Sequence, residues 1–453
     1  MAVKDTTKSM TSGSPYRLIL AFAIPMLLGT LFQQFYSMVD TIIVGRLLGV
    51  DALAGVGSTG AINFMVNGFV IGACSGFAIP VAQRFGAEDQ RGLRRYCTNI
   101  VYLTIALSLV MTLIIASATS GILRTMQTPV SIYSYAYDYI FIIFLGIPVT
   151  FLYNITASVI RSLGDARTPV YFLILASLLN IILDLISIAG LHMSVNGPAI
   201  ATVISQGISG ILCLIYMIRR FPILHTEKQD WHPDFRRMGG LLTMGVPMGL
   251  QYSITAIGSV ILQTAVNGLG AVAVASLTAG VRIGNFVCCV FDALGATMAT
   301  YTGQNAGAMK FSRIKDGVFA ATKIGAIYSV GICILLILFG GEIPKIFVSS
   351  DEQDVIRNAH LFLICNSCFY IPLTIVNVWR FSIQGMGFSA FAILAGVCEM
   401  VARALIGFVF VPRFGFPAAC FASPLAWIFA DAFLIPGFFY CLRRLERYYG
   451  RIS

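Results

Sequence analysis

The sequence predicts an all-α polytopic membrane protein, with twelve transmembrane helices in two six-helix bundles related by a pseudo-two-fold axis along the membrane normal. Three observations predict it. Hydrophobic residues make up 57% of the 453 residues and charged ones only 11%, against about a quarter in a soluble domain, and the mean hydropathy is +0.84. Stretches able to cross about 30 Å of hydrocarbon, about 20 residues each as helix, recur twelve times. The chain also repeats itself: Pro25 is answered by Pro247, and Gln83-Arg84-Phe85-Gly86-Ala87 by Gln304-Asn305-Ala306-Gly307-Ala308, 221 residues later.

Inside hydrocarbon, backbone polar groups must pair internally, so only helices or a closed barrel can cross. The stretches are rich in Leu, Ile, Phe and Gly and do not alternate with period two, which selects helices. In order they lie near 16–44, 51–76, 95–118, 133–158, 169–190, 195–219, 238–266, 272–300, 317–340, 357–379, 388–411 and 416–442. The polar start, MAVKDTTKSMTSGSP, has no small-residue cleavage site after a short apolar core, so the first span is expected to be retained. The longest polar connection, Arg219 to Arg237, falls between spans six and seven and reads as a linker. It divides the chain into a lobe at 1–219, a cytoplasmic linker at 220–237 and a lobe at 238–453. Six spans per lobe, an even number, give both copies the same orientation in the membrane.

Lys and Arg in the loops set the topology. With the amino terminus inside, the inner side collects 22 of them, among them Lys4, Arg84, Arg94, Arg95, Arg236, Arg237, Arg313, Arg380 and Arg451, and the outer side five, Arg46, Arg124, Lys345, Arg357 and Arg413. Both termini are therefore expected in the cytoplasm, with the chain in the plasma (cytoplasmic) membrane. The same loops account for the net charge of +10 without nucleic acid, since they interleave no aromatics with base-reading residues.

The remaining composition excludes most chemistry. Eleven cysteines, an odd number placed mostly inside spans, do not form an extracellular disulfide framework, and Cys365-Asn366-Ser367-Cys368 reads as apolar packing within a helix. His192, His225, His232 and His360 contain no zinc-binding pair at helical spacing, and no loop carries Gly-Lys-Ser/Thr to cradle phosphate. Gly72-Ala73-Cys74-Ser75-Gly76 resembles a serine-nucleophile setting but has no His on a nearby span; with Gly68 it reads as a small-residue stripe for close helix packing. The expectation is not an enzyme, with no cofactor, and any uphill transport must draw on an ion gradient.

Charged residues inside spans are costly and each is a functional candidate. They are Asp40, Asp184, Arg282, Asp292, Glu399, Arg403 and Asp431, with Lys323 near an inner end. Asn180 and Asp184 stand one helical turn apart and share a face, and an amide beside a carboxylate offers oxygens to a small hard cation. Asp40 can join them from span one. Acids that meet in a low-dielectric space relieve their repulsion by taking up a proton or a cation, so the cluster can exchange H+ for Na+; the alternative is a packing device neutralised by an amide and water. Pro25 and Pro247 each remove one backbone hydrogen bond and act as hinges or as static kinks. Glu399 and Arg403 are an i, i+4 pair of opposite charge. Arg282 and Asp292 are too far apart to pair with each other and should each find a partner on another span, whereas Asp431 has no evident partner. Gln33, Tyr36, Asn67, Asn154, Thr202, Gln251 and other polar side chains line a cavity or bond between helices.

Taken together, these residues resemble the multidrug and toxic compound extrusion (MATE) family. The resemblance rests on Pro25 with Ser37-Met38-Val39-Asp40-Thr41-Ile42-Ile43-Val44-Gly45, on Leu48-Gly49-Val50-Asp51-Ala52-Leu53-Ala54, on the two Gln-x-x-Gly-Ala loops, on Arg161 through Pro169, and on Asn180-Ile181-Ile182-Leu183-Asp184. It implies two six-helix bundles forming a V and export of organic cations or other amphiphiles in exchange for Na+ or H+ by alternating access. Within the family the chain is most similar to the DinF-like bacterial branch, which implies coupling in the first lobe at Asp40, Asn180, Asp184 and Thr202, with Gln33, Tyr36, Asn67 and Asn154 as cavity residues. Spans seven and ten carry no Asp or Glu in their cores, where the NorM-like branch places further carboxylates. The partners expected are the small-molecule substrate and the lipid bilayer, with the chain acting as a monomer. The runner-up is a lipid or lipid-linked oligosaccharide flippase of the same broad superfamily, which needs cationic residues in its cavity. Only Arg282 and Arg403 lie deep, so arginines paired within a helix count against it.

Overall fold

Burying an unpaired peptide group in hydrocarbon costs several kcal/mol, and the chain answers by being helical almost throughout. A computed structural model describes residues 7–346 and 352–449. Lys4 and Arg451, counted on the inner side, lie outside them. The first half contains α1 (Pro15–Leu48), α2 (Val50–Ser58), α3 (Gly60–Gly86), α4 (Gln90–Thr125), α5 (Val130–Leu145), α6 (Ile147–Ser162), α7 (Arg167–Leu185) and α8 (Asn196–Arg220). The second contains α9 (Phe235–Asn267), α10 (Ala271–Gly307), α11 (Phe311–Phe339), α12 (Gln353–Ser367), α13 (Tyr370–Gly385), α14 (Ser389–Leu405), α15 (Val411–Phe414), α16 (Phe416–Cys420) and α17 (Ala422–Tyr449).

Ten helices are long and apolar enough to cross a membrane, and twelve when each of two bent pairs counts as one span. All twelve expected spans fall on helices. Their exposed faces are apolar: Ile105, Leu109 and Leu113 follow one face of α4, and Ile327, Ile334 and Leu338 lie exposed on α11. Such faces suit lipid rather than water, and this is a multi-pass membrane protein.

The internal repeat is visible in the backbone. The bent pairs are α5–α6, at 48°, and α12–α13, at 53°, the fourth span of each copy. A π-helical segment follows α7 at Ile186–Gly190 and α14 at Ile406–Phe410. Left-handed residues recur at Gly49 and Gly270, Glu88 and Met309, and Gly164 and Gly387, 221 to 223 residues apart. Gly164 is required twice over: its φ is +90°, and a Cβ there would collide with the Lys8 carbonyl. Pro25 and Pro247 lie within the continuous helices α1 and α9, whereas the bends above 40° sit at the two broken spans.

The chain packs as two compact units. Among the described residues, the first comprises 7–9 and 28–249, the second 10–27, 250–346 and 352–449. The chain therefore changes unit three times, between Ser9 and Met10, inside α1 and inside α9, the last two within three residues of Pro25 and Pro247.

In the first unit the connection 220–237 is docked on α4. Thr98 Oγ1 donates to the Asp230 carbonyl at 2.7 Å, Tyr102 Oη to the Trp231 carbonyl at 2.9 Å, and Arg94 Nε to the Ile223 carbonyl at 3.2 Å. Asp234 opens α9, accepting from the Arg236 and Arg237 amides and from Arg237 Nη1 at 2.7 Å. The Arg237 amide and guanidinium hold its carboxyl below the usual carboxylate range. Its contribution is therefore present above the ordinary Asp range and is lost only as pH falls through that lowered value.

The glycine stripe on α3 meets the start of α9. A Cβ on Gly76 would lie 2.6 Å from Gly245 Cα, and one on Gly72 would run into the Met248 carbonyl. On the facing helix, a Cβ on Gly249 would lie 2.7 Å from Phe69 Cδ2. Small residues let the two backbones touch. Gly76→Leu is expected to lower the thermal stability of the purified protein through overpacking, by about 1–3 kcal/mol or more, whereas Gly57→Leu, on a face with nothing within 4 Å, should leave it unchanged. Equal behaviour of the two variants would remove the crossing from the account.

Candidate ion-coupling site

The candidate site lies wholly in the first unit and is built from three helices. Tyr36 and Asp40 stand one turn apart on the part of α1 that belongs to this unit, Asn180 and Asp184 one turn apart on α7, and Thr202 projects from α8, which packs along α7. Asp184 is fully buried and Asn180 is 1% exposed.

The Asn180 carboxamide fits its neighbours in one orientation. Its nitrogen donates to Tyr36 Oη at 2.9 Å and to Asp184 Oδ2 at 3.0 Å, and its oxygen accepts from Thr202 Oγ1 at 3.1 Å and from the Thr202 amide at 3.0 Å. Both donors and both lone pairs are then used, so the network itself assigns the amide. The amide thus presents nitrogen, not oxygen, to Asp184.

The Asp40 and Asp184 carboxyl groups stand within hydrogen-bonding reach of each other. Each keeps one buried oxygen, Oδ1, without a protein donor. Two such carboxyls cannot share a dry site as two bare anions; a proton between them makes one the donor to the other, and a small cation bridges the free oxygens. The π-helical segment Ile186–Gly190 begins two residues beyond Asp184, and Ser187 Oγ donates to the Asp184 carbonyl at 3.0 Å. Such segments occur often at functional sites.

The structure therefore brings together Asp40, Asn180, Asp184, Thr202 and Tyr36. Gln33 is exposed on α1. Asn67 donates to Asn63 Oδ1 at 2.6 Å, and Asn154 donates to the Thr150 carbonyl of its own helix at 2.8 Å. None of these three joins the cluster's hydrogen bonds among the described residues. Sequence reasoning missed Tyr139 of α5, which is 7% exposed and lies within electrostatic reach of Asp40, Tyr36 and Asp184.

The second unit carries a different polar centre. Arg380 Nη2 and Arg403 Nη2 both donate to Glu399, the latter at 3.3 Å, and all three side chains are buried. This corrects the sequence assignment of Arg380 to an inner loop. The tenth span extends through α13 to Gly385, which carries Arg380 into the helix interior. The expectation that Arg282 and Asp292 each pair with another span also fails: both are exposed, and neither makes a salt bridge among the described residues. Arg403 is paired within its own helix, which counts against the flippase reading.

The MatE family model matches residues 25–186 and 247–409, each match beginning at one of the two repeat prolines. The chain is 28% identical over 372 residues to the "Probable multidrug resistance protein YoeA" of Bacillus subtilis (strain 168), covering 81% of this chain and 80% of that one. It is also 28% identical over 408 residues to the "Probable multidrug resistance protein YpnP" of the same organism, covering 90% and 89%. A solved structure described as "Outward-facing conformation of a multidrug resistance MATE family transporter of the MOP superfamily" superposes with a TM-score of 0.90 over 98% of this chain and 99% of that one. At 22% identity, that likeness carries the fold alone.

Proposed function

Because this chain belongs to the MatE family, a family of membrane transporters and not of enzymes, we propose that it exports organic cations or amphiphilic small molecules in exchange for H+ or Na+ at the Asp40–Asp184 pair. The observation that carries the reading is the contact of two carboxyl groups, each with one unpartnered buried oxygen, inside a frame of Asn180, Thr202 and Tyr36. A frame of this kind binds a proton or a small cation reversibly. With the nitrogen of Asn180 on Asp184 Oδ2, the free Oδ1 atoms of the two carboxyl groups are left as the oxygens that a proton or a small cation would occupy. Uptake of the ion and uptake of substrate select different arrangements of the chain, and a ligand shifts such an equilibrium only by its differential affinity. The naming of the Bacillus relatives as probable multidrug resistance proteins supports a drug-like substrate, and the excess of Lys and Arg in loops on one side supports cytoplasmic termini in the plasma membrane. The chain carries both repeats of the fold and, in the first unit, the whole acid pair, which supports action as a monomer.

The test is efflux of a fluorescent organic cation, ethidium, from proteoliposomes of the full-length chain under an imposed proton or sodium gradient. Export driven by one gradient and absent without it is expected. Absence of movement under either would overturn the exporter reading.

A further inference from the structure

The second unit has no copy of the acid pair. The residues 221 and 222 positions after Asp40 are Ile261 and Leu262, and the two π-helical segments place Ala404 in register with Asp184. Instead, three helices contribute four buried charged side chains: Arg380 from α13, Glu399 and Arg403 from α14, and Asp431 from α17, the last 7% exposed. Helix α17 packs against both α13 and α14.

The four are incompletely joined. Glu399 receives both guanidiniums, while Asp431, within electrostatic reach of Arg380 and Glu399, forms no salt bridge among the described residues. Asp431 Oδ1 is buried without a donor, and Arg380 Nε and Arg403 Nη1 are buried without acceptors. Of the other elements against α17, α16 has no charged residue. The ionisable Asp354, Arg357, His360 and Cys365 of α12 are not among the groups acting on Asp431.

A purely structural network would close these bonds, because buried charges stabilise a fold only when fully paired. Here one acid is left over beside two unused donors. Two of the contributing helices also have an irregularity near the network: a π-helical segment begins three residues after Arg403, and Pro436 follows Asp431 by five residues in α17; the third, α13, starts at the 53° bend, ten residues before Arg380. These are places where helices bend or shift register.

We propose that Asp431 is a proton-binding site of the second unit, loaded while Arg380 is held by Glu399 and discharged when Arg380 moves onto the Asp431 carboxylate. The proton leaves for water as the guanidinium arrives, so the net charge of the four groups falls from +1 to zero. The inference rests on the reading of the chain as an ion-driven exporter and adds a second ion-linked step, in the unit that lacks the acid pair.

The test is infrared pH-difference spectroscopy of the full-length protein in lipid, where each buried acid that gains a proton adds its own carboxylic C=O band. The wild type is expected to show a band that Asp431→Asn removes and Asp40→Asn leaves in place. Asp431→Glu should keep a band at a shifted frequency. Glu399→Gln, which frees Arg380 for Asp431, should move the band's titration midpoint to lower pH by about one unit, a tenfold change in proton affinity. Spectra of wild type and Asp431→Asn that coincide between acid and alkaline pH would overturn the proposal. If Asp431→Asn does not fold, a midpoint unmoved by Glu399→Gln would overturn it. The readout needs no transport, so failure of the exporter reading shows separately as absent ethidium efflux.

Discussion

Asp40→Asn and Asp184→Asn are each expected to abolish ethidium efflux driven by the gradient that works for the wild type, with the protein still folded and monodisperse. Asparagine keeps the shape of the side chain and can still accept a hydrogen bond, but it can neither gain nor lose a proton and cannot neutralise a cation. The loss expected is about 100-fold in gradient-driven rate, the scale of a coupling free energy of about 3 kcal/mol between two ligands. The carboxyl groups act as one unit, so the double variant should be no worse than either single variant. Initial efflux rates in proteoliposomes, normalised to folded protein, give the measurement. Retention of gradient-driven efflux by both single variants would remove the pair from the coupling role, leaving the buried charges of the second unit as the place where an ion acts.

Much of this site was legible in the sequence because helical periodicity places residues without knowledge of the fold. Asn180 and Asp184 share a face by spacing alone, and a membrane span makes any acid conspicuous, which also picks out Asp40. Tyr139 carried no such signal. It is one of four tyrosines at alternate positions, 133, 135, 137 and 139, and only the docking of α5 separates the one near the acids from the others. Arg380 was misplaced because the apolar run that defines the tenth span thins out near 379, whereas the break between α12 and α13 lets the helix continue to Gly385. The passage of the chain between units within α1 and α9 was hidden for a related reason. Hydropathy reports that a segment is helical and apolar, and is blind to which neighbours each half of a continuous helix packs against. The prolines at 25 and 247 marked both places without revealing what changes there.

Arg380→Met is expected to destabilise the second unit strongly, by about 3–5 kcal/mol, the cost typical of removing one member of a buried ion pair. Methionine matches the arginine stem in bulk, so little of the loss comes from packing. The cause is electrostatic: Glu399, 3% exposed, keeps only Arg403, and Asp431 loses the guanidinium that acts on it. Glu399→Gln should cost less, because Gln can still accept from an arginine and Asp431 stands ready to receive Arg380. Adding Glu399→Gln to Arg380→Met should recover part of the stability by removing the under-compensated carboxylate, a coupling that a double-mutant cycle of thermal unfolding in detergent measures directly. Additive effects would mean that the residues do not sense one another and that the network contributes nothing beyond packing. The predicted order, Arg380→Met worst, the double variant intermediate and Glu399→Gln mildest, follows from one feature of the second unit: it holds two acids for its two arginines and uses only one of them in this conformation.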